Sequence, residues 1–463
     1  MAAATSHPIS SNGDNITTIN KEHLNIVCIG HVDSGKSTLS GQILLLSGYI
    51  DDRTIEKYSK EAKSLKRESW FLAFIMDTSK EERSKGKTVE VGRAEFSTNN
   101  RRFTILDAPG HKSYVPNMIQ GASQADVGIL VISARKGEFE AGFDKGGQTR
   151  EHALLTKTLG VRILVVVINK MDEETVQWNK DRYDEIREKL EPFLKSSGFN
   201  TKKHVHWVPI SAYSGDNVKE EVTTDICSWY NGPSLFGILD TLRVGGRKPD
   251  APLRIPVLDR FNDRGVIALG KIESGTLMKG QTIMIMPTLK QVVVDSIQIG
   301  EMGDYIDVST AKPGDNVYIK FKGVNDDDIR KGFVLVDKHS PSPVVERFQA
   351  LVQIMELDKH MLFTPGYKAV MHLHTTSTDC TIDKIIQINE KSGSVIKNPS
   401  YAKSLQVCVC NISLSHKVVV EKFADYSQLG RFTIRDGNRT IAIGKITKLP
   451  KEAYKIIDSF KCS

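Results

Sequence analysis

The chain has 463 residues, of which 40% are apolar and 26% charged, with 35 Gly, 16 Pro and a net charge of +7. At roughly 150 residues per domain this length implies about three units, each able to bury a core without metal or disulfide staples. The composition excludes collagen-like and disordered chains. The longest apolar runs, such as residues 164–168, are too short to cross a membrane, and no apolar signal segment opens the sequence. Six Cys without a CxxC pair argue against a disulfide scaffold or a zinc knuckle, and for a reducing compartment. Cys408 and Cys410 stand two apart in a strand-like run, so both thiols face the same way and read as buried and free. The basic excess is compatible with nucleic-acid surroundings but too dilute to specify them.

Residues 1–20 are small and polar and read as a flexible tail. Apolar runs at 24–29, 103–106, 127–132, 163–168 and 205–210 then alternate with helix-like stretches at 37–46 and 176–194. Several runs are continuous, as parallel strands covered on both faces require. Pro233 and Ser234 open a last helix over LFGILDTL. This is an α/β unit over residues 21–245. A basic amphipathic stretch at 58–74 reads as a surface helix whose Trp70, Phe71 and Phe74 pack inward. A Gly- and Pro-containing linker at 244–252 leads into short Val- and Ile-rich runs separated by turns. Another break at His339–Pro343 begins a second such region. The expected architecture is an α/β domain followed by two all-β barrel domains, at 246–342 and 343–463, the last ending in a short fraying tail.

Gly30-His31-Val32-Asp33-Ser34-Gly35-Lys36-Ser37 follows a strand and precedes a helix, which is the sequence and context of a P-loop. Its glycines let backbone amides curl around phosphate oxygens, and the helix N-terminus adds free donors. With Asp33, Ser34, Gly35 and Thr38 forming the cradle, Lys36 reaches the terminal phosphates and the Ser37 hydroxyl ligates Mg²⁺. Asp107 closes the second strand, where a further magnesium partner belongs; Gly110 offers an amide to the γ-phosphate, and His111 is placed to orient the attacking water. Asn169-Lys170-Met171-Asp172 closes the most hydrophobic strand. The Asp172 carboxylate matches the N1–H and N2–H₂ donors of guanine, a pair adenine lacks. Asn169 ties base and loops, the Lys170 stem lies along the base, and Ser211-Ala212 presents a backbone amide to the guanine carbonyl. Four motifs in this order, each at a strand end, imply a GTP/GDP site, so the expected fold is an α/β P-loop GTPase domain followed by two all-β barrel domains. Thr88, on the segment between the first two motifs, reads as a magnesium ligand that binds only with the γ-phosphate, or as an ordinary strand-start Thr.

Together GHVDSGKST, DAPGH, NKMD, ALGKIESGTLMKG and GRFTIRDGNRTIAIGK resemble the translational GTPases of the elongation factor one-alpha group over about residues 21–448. The stretches GKTVEVGRAEF and SARKGEFEAGFDKGGQTREHA are similar to the eukaryotic class-2 release-factor GTPases. The resemblance implies a catalytic His111 positioned by the ribosome, first and second switches at Thr88 and at 107–111, and a monovalent cation near Asp33. Lys87 stands where the elongation factors carry an isoleucine of an apolar gate, so that gate is not carried over. It also implies a class-1 release factor as partner, docked on the last barrel around Gly430, Arg431, Phe432, Thr433 and Arg435. The same strip reads alternatively as a turn and a strand packing domains two and three together. Ribosome and rRNA contacts are further implications, as are poly(A)-binding protein through a longer N-terminal region, a cytoplasmic setting and a free monomer. Ribosome-rescue GTPases, elongation-type aminoacyl-tRNA carriers and a non-hydrolysing GTP-dependent scaffold stay open as alternatives.

Overall fold

In a computed structural model of the protein, the described residues are 21–64, 70–76, 82, 88, 91–144, 147–263, 265–301, 304–357, 361–390 and 393–454. The tail at 1–20, Lys87 and residues 455–463 lie outside them, as do residues 65–69 of the expected 58–74 helix.

The first domain is a six-stranded sheet in the order β2-β3-β1-β4-β5-β6. These strands are β1 (Glu22–Gly30), β2 (Gly92–Ser97), β3 (Arg101–Asp107), β4 (Val127–Ser133), β5 (Ile163–Asn169) and β6 (Val205–Pro209). All neighbours run parallel except β2, which is antiparallel to β3. Every residue of β3, β4 and β5 is buried, which explains their unbroken apolar runs. On one face lie α1 (Lys36–Leu46), the short α3 (Ala73–Met76) and α8 (Leu235–Thr241), packed through Leu39, Ile43, Met76 and Leu239. The other face is covered by α4 (Val115–Gln124), α5 (Glu138–Phe143), α6 (Gln148–Leu159) and α7 (Lys180–Ser196), through Met118, Phe139, Leu155 and Ile186. α2 (Asp52–Ser64) buries only Ala62.

Two helix boundaries repay comparison with the sequence. Ser234 caps α8 by accepting from the Gly237 amide at 3.3 Å, with Pro233 just outside, as the dipeptide suggests. α7 begins later than the apolar pattern at 176 implies. Val176 and Trp178 enter the core from a turn in which Gln177 and Trp178 adopt positive φ, and the helix starts only after Asn179 accepts from the Arg182 amide at 3.0 Å.

The second domain contains β7 (Arg254–Asn262), β8 (Val266–Lys271), β10 (Thr282–Met286), β11 (Lys290–Glu301), β12 (Asp304–Val308), β14 (Asn316–Lys322) and β15 (Val334–Asp337). Pairing of β10 with both β15 and β11 closes six of them into a barrel, with β12 outside and a clip formed by β9 (Leu277–Met278) and β13 (Thr310–Ala311). The third domain repeats the plan. Its strands are β16 (Val344–Ile354), β17 (Lys368–Leu373), β18 (Thr376–Asn389), β19 (Val395–Lys397), β20 (Val407–Val419), β21 (Arg431–Asp436) and β22 (Arg439–Lys448). Pairing of β17 with both β21 and β18 closes this ring and leaves β19 outside. Closure removes the sheet edges that would otherwise invite aggregation. Cys408 and Cys410 both point into the third core as free thiols, their sulfurs 3.4 Å apart. Among the described residues no helix is long and apolar enough to cross a membrane.

Polar contacts join the three domains. Asp126 accepts from Lys271 Nζ at 2.8 Å and from Arg247 Nη2 at 3.3 Å, which fastens the second domain to the first. Beside it, His23 bridges Gly314 O and Thr104 Oγ1. Arg254 and Glu421, 3.0 Å apart, join the two barrels.

The 430–435 strip is placed differently from the expected partner surface. Gly430 is buried close against Phe423, and Phe432 points into the barrel core. Strand alternation then turns Arg431, Thr433 and Arg435 outward, onto α6 of the first domain. Arg431 Nη1 donates to Thr158 O at 3.0 Å and Arg435 Nη1 to Glu151 at 3.3 Å, while Thr433 is wholly buried. In this arrangement the strip holds the first and third domains together. The strip is thus a packing surface, but between the first and third domains and not, as the alternative reads, between the second and third.

Candidate functional site

The loop from β1 to α1 turns through left-handed backbone at Asp33 (φ 61°) and Gly35 (φ 91°). A Cβ at Gly35 would sit 2.3 Å from Asn169 Nδ2, so only glycine fits there. α1 opens without a side-chain cap or an acidic residue in its first turn, which leaves its amides and positive end for an anion. Lys36, almost fully buried, donates to His31 O at 2.7 Å. Burial pushes its pKa down, and the Asp107 and Asp33 charges resist that fall. Ser34 is also buried, its hydroxyl donating to His31 O at 2.9 Å, so its part in the loop is internal. Gly110 backs onto the loop so closely that a Cβ would come 2.5 Å from Lys36 Nζ.

Ser37, Thr88 and Asp107 converge. The two hydroxyls are 3.1 Å apart, and Asp107 is fully buried with neither carboxylate oxygen hydrogen-bonded among the described residues. Burial raises its pKa to about 6, with the Ser37 hydroxyl, near but short of hydrogen-bond geometry, and the Lys36 ammonium pulling it back. An unsatisfied buried carboxylate beside two hydroxyls is an oxygen-only donor set of the kind that suits Mg²⁺ together with phosphate oxygens. His111 lies on the rim, its Nδ1 accepting from the Ser113 amide at 3.3 Å and its ring 5.9 Å from that of Tyr114.

On the base side Asn169 fastens three segments. Its Nδ2 donates to Ser34 O at 2.9 Å, its Oδ1 accepts from the Ala212 amide at 2.8 Å, and its carbonyl accepts from the Ala134 amide at 2.8 Å. Of the two amides of Ser211-Ala212, one of which is expected at the guanine carbonyl, that of Ala212 is engaged by Asn169 and that of Ser211 by Asp216 O at 3.1 Å. Ser211 is buried, its hydroxyl accepting from the Ser214 amide at 3.2 Å. Lys170 (φ 63°) sends its ammonium to Glu138, while Asp172 is exposed at the cleft wall.

All this surrounds a cleft of about 590 Å³ lined by Asp33, Gly35, Lys36, Ser37, Thr38, Thr88, Gly110, His111, Asn169, Lys170, Asp172 and Ala212. Of the expected set, Ser34, Asp107 and Ser211 sit behind its surface. Sequence reasoning missed Arg135, Glu138, Glu173 and Tyr213 in the lining. Arg135 and Glu138 follow the end of β4, and a search of every strand end, not only those bearing known motifs, would have found them. Trp70 lines the cleft as well, whereas Phe74 packs inward as its pattern suggests.

A parallel sheet with a phosphate loop after β1, followed by two closed barrels, defines a three-domain translational GTPase. The family profiles agree: the Elongation factor Tu GTP binding domain matches residues 21–295, Elongation factor Tu domain 2 matches 265–336 and the GTP-eEF1A C-terminal domain-like family matches 347–447. Within that class, the chain belongs to the family of the eukaryotic peptide chain release factor GTP-binding subunit. It is 50% identical to the Dictyostelium discoideum member over 442 residues, covering 94% of this chain and 78% of that one. Against the Kluyveromyces lactis member it is 48% identical over 431 residues, covering 93% of this chain but only 61% of the relative. The GTPase-like domain of S. cerevisiae Ski7, bound to GTP, superposes with a TM-score of 0.74 at 19% identity, covering 95% of this chain and all of that one, which is a likeness of fold. The first domain is thus a GTP-binding GTPase domain.

Proposed function

We propose that this chain is the GTPase of translation termination, which binds GTP in the cleft, carries a class-1 release factor to a ribosome halted at a stop codon and hydrolyses the nucleotide there. The observation that carries the reading is the identity to release-factor GTP-binding subunits along 93–94% of the chain, coupled with a cleft that gathers the phosphate, magnesium and base motifs. The loop amides and Lys36 hold the phosphates, and Asp172 selects guanine. Ser37, Thr88 and Asp107 would hold a magnesium ion, which would supply charge neutralisation at the terminal phosphates. Thr88 reaches the site from outside the sheet, so its bond to Ser37 is suited to report the γ-phosphate. His111 orients water by position and electrostatics rather than by abstracting a proton in free solution. Asp33, exposed at the phosphate loop, is the group for a monovalent cation.

Partner docking is better served by side chains that the third domain exposes than by the buried 430–435 strip. Leu405 (57% exposed) and Val395 (49%) flank the same end of β18, where Asn389 pairs with both Val407 and Val395. Contacts to rRNA, to poly(A)-binding protein through a longer N-terminal region, a monomeric free state and a cytoplasmic setting complete the proposal. The test is multiple-turnover GTP hydrolysis on ribosomes with either a class-1 release factor or a rescue-type decoding partner. Stimulation by the release factor supports termination; stimulation by the rescue partner alone moves the chemistry to stalled ribosomes.

A further inference from the structure

We infer that Glu138 is a positioning residue for guanine recognition, acting through Lys170. Glu138 Oε2 accepts from Lys170 Nζ at 2.7 Å and from Ser133 Oγ at 2.7 Å, and Arg135 Nη1 approaches its other oxygen at 3.4 Å. Arg135 Nε in turn lies 3.2 Å from Glu173. The charges therefore alternate, Lys170–Glu138–Arg135–Glu173, along the wall that also carries Asp172. The anchorage is rigid at both ends. Ser133 and Asn169 are register partners at the ends of β4 and β5, and Lys170 leaves that end in a left-handed conformation that aims its side chain across the wall. Although burial works the other way, the Lys170 and Ser133 hydrogen bonds hold the Glu138 carboxyl below the usual carboxylate range.

The consequence concerns Asp172. Its carboxylate is the acceptor that the two guanine donors require, and it stands two residues from a flexible ammonium. Glu138 supplies that ammonium with another acceptor and draws the four-carbon stem along the wall. Without Glu138 the carboxylates left lining the cleft are Asp33, Asp172 and Glu173, of which Asp172 is two residues from Lys170, and Lys170 would compete with the base for it. Glu138 thereby raises affinity for nucleotides bearing the 2-amino donor more than for those lacking it.

This inference rests on the cleft being a guanine-nucleotide site, and the experiment separates the two ideas. Release of a fluorescent N-methylanthraniloyl GDP from the full chain is measured, with unlabelled GDP and IDP as competitors. Glu138→Ala should release the probe about tenfold faster and reduce the preference for GDP over IDP several-fold. Glu138→Gln, which keeps an acceptor for Lys170, should lose less than about threefold. Added to Lys170→Ala, Glu138→Ala should change release by less than about twofold, because the effect passes through Lys170. Multiplication of the two single effects, or an unaltered GDP-over-IDP preference, would overturn the inference. If Glu138→Ala does not fold, Glu138→Met, which keeps the stem but removes the acceptor for Lys170, carries the same cycle. Failure of the wild-type chain to bind the probe would instead sink the site assignment itself.

Discussion

Asn169 at the nucleotide cleft and Arg435 in the third domain are each only 2% exposed, yet burial means different things for them. Both Asn169 side-chain atoms and its carbonyl are used, each to hold a different loop of one domain. Arg435 reaches Glu151 and Thr440 through Nη1, while its Nε and Nη2 are buried without partners among the described residues. The first is a saturated local device; the second is a charged group trapped where two domains meet. A polar residue at a strand end carries its meaning in its own segment, whereas one on a barrel wall takes its meaning from whatever packs against it.

The largest effect should fall on the interface side of this contrast. Asp126→Ala leaves Lys271, whose side chain is 5% exposed, without its carboxylate and removes the nearer of Arg247's two carboxylate partners, leaving Glu22 at 3.7 Å. Losing one partner of a buried ion network costs about 3–5 kcal/mol. Denaturant unfolding checks this, and a loss below 1 kcal/mol would show that the two domains are not held there. On the cleft side, Lys36→Ala should reduce GTP affinity by about 100-fold or more, about 2.7 kcal/mol. Calorimetric titration checks it, with little change expected in stability, since Lys36 contributes one bond to His31 O.

A pH dependence sharpens the contrast. Burial pushes the His23 pKa down to about 3, with the Arg102 charge adding to the shift. Below about pH 6.5 the unfolded chain takes up a proton that folded His23 refuses, so its contribution is intact above that pH and declines as the pH falls. At pH 5 the loss is about 2 kcal/mol. Urea unfolding at pH 7 and pH 5 should show His23→Gln losing about 2 kcal/mol less than the wild type; equal losses would mean that His23 is protonated in place.

The nucleotide motifs were legible because phosphate, magnesium and guanine each demand particular residue types at the end of a particular strand, and the apolar runs located those ends. Barrel closure followed less directly, since turns reveal strand number but not which strands meet. Two things stayed hidden. Glu138 lies within SARKGEFEAGFDKGGQTREHA, a stretch that carries resemblance but states no role for it, and its placement comes from the register of Ser133 with Asn169. The outward face of β21 was visible as an alternation, but nothing in its segment says that α6 lies across it. A charged strip that would be a docking site on an isolated barrel becomes an internal seam once a second domain is placed.

Arg431→Ala gives the smallest expected effect and decides between those two meanings. The side chain donates to Thr158 O and Ser427 O and lies 4.9 Å above the Phe423 ring. As a seam residue its loss should lower stability by about 1–2 kcal/mol while changing affinity for a class-1 release factor by less than about twofold. Binding and melting must be measured on the same preparation, because only their combination is diagnostic. A tenfold loss of partner affinity at unchanged melting temperature would mean that the partner reaches Arg431, which requires the first and third domains to part when the complex forms. The contrast between local device and domain seam would then describe the free chain alone, with the strip serving as seam or docking site according to the partner's presence.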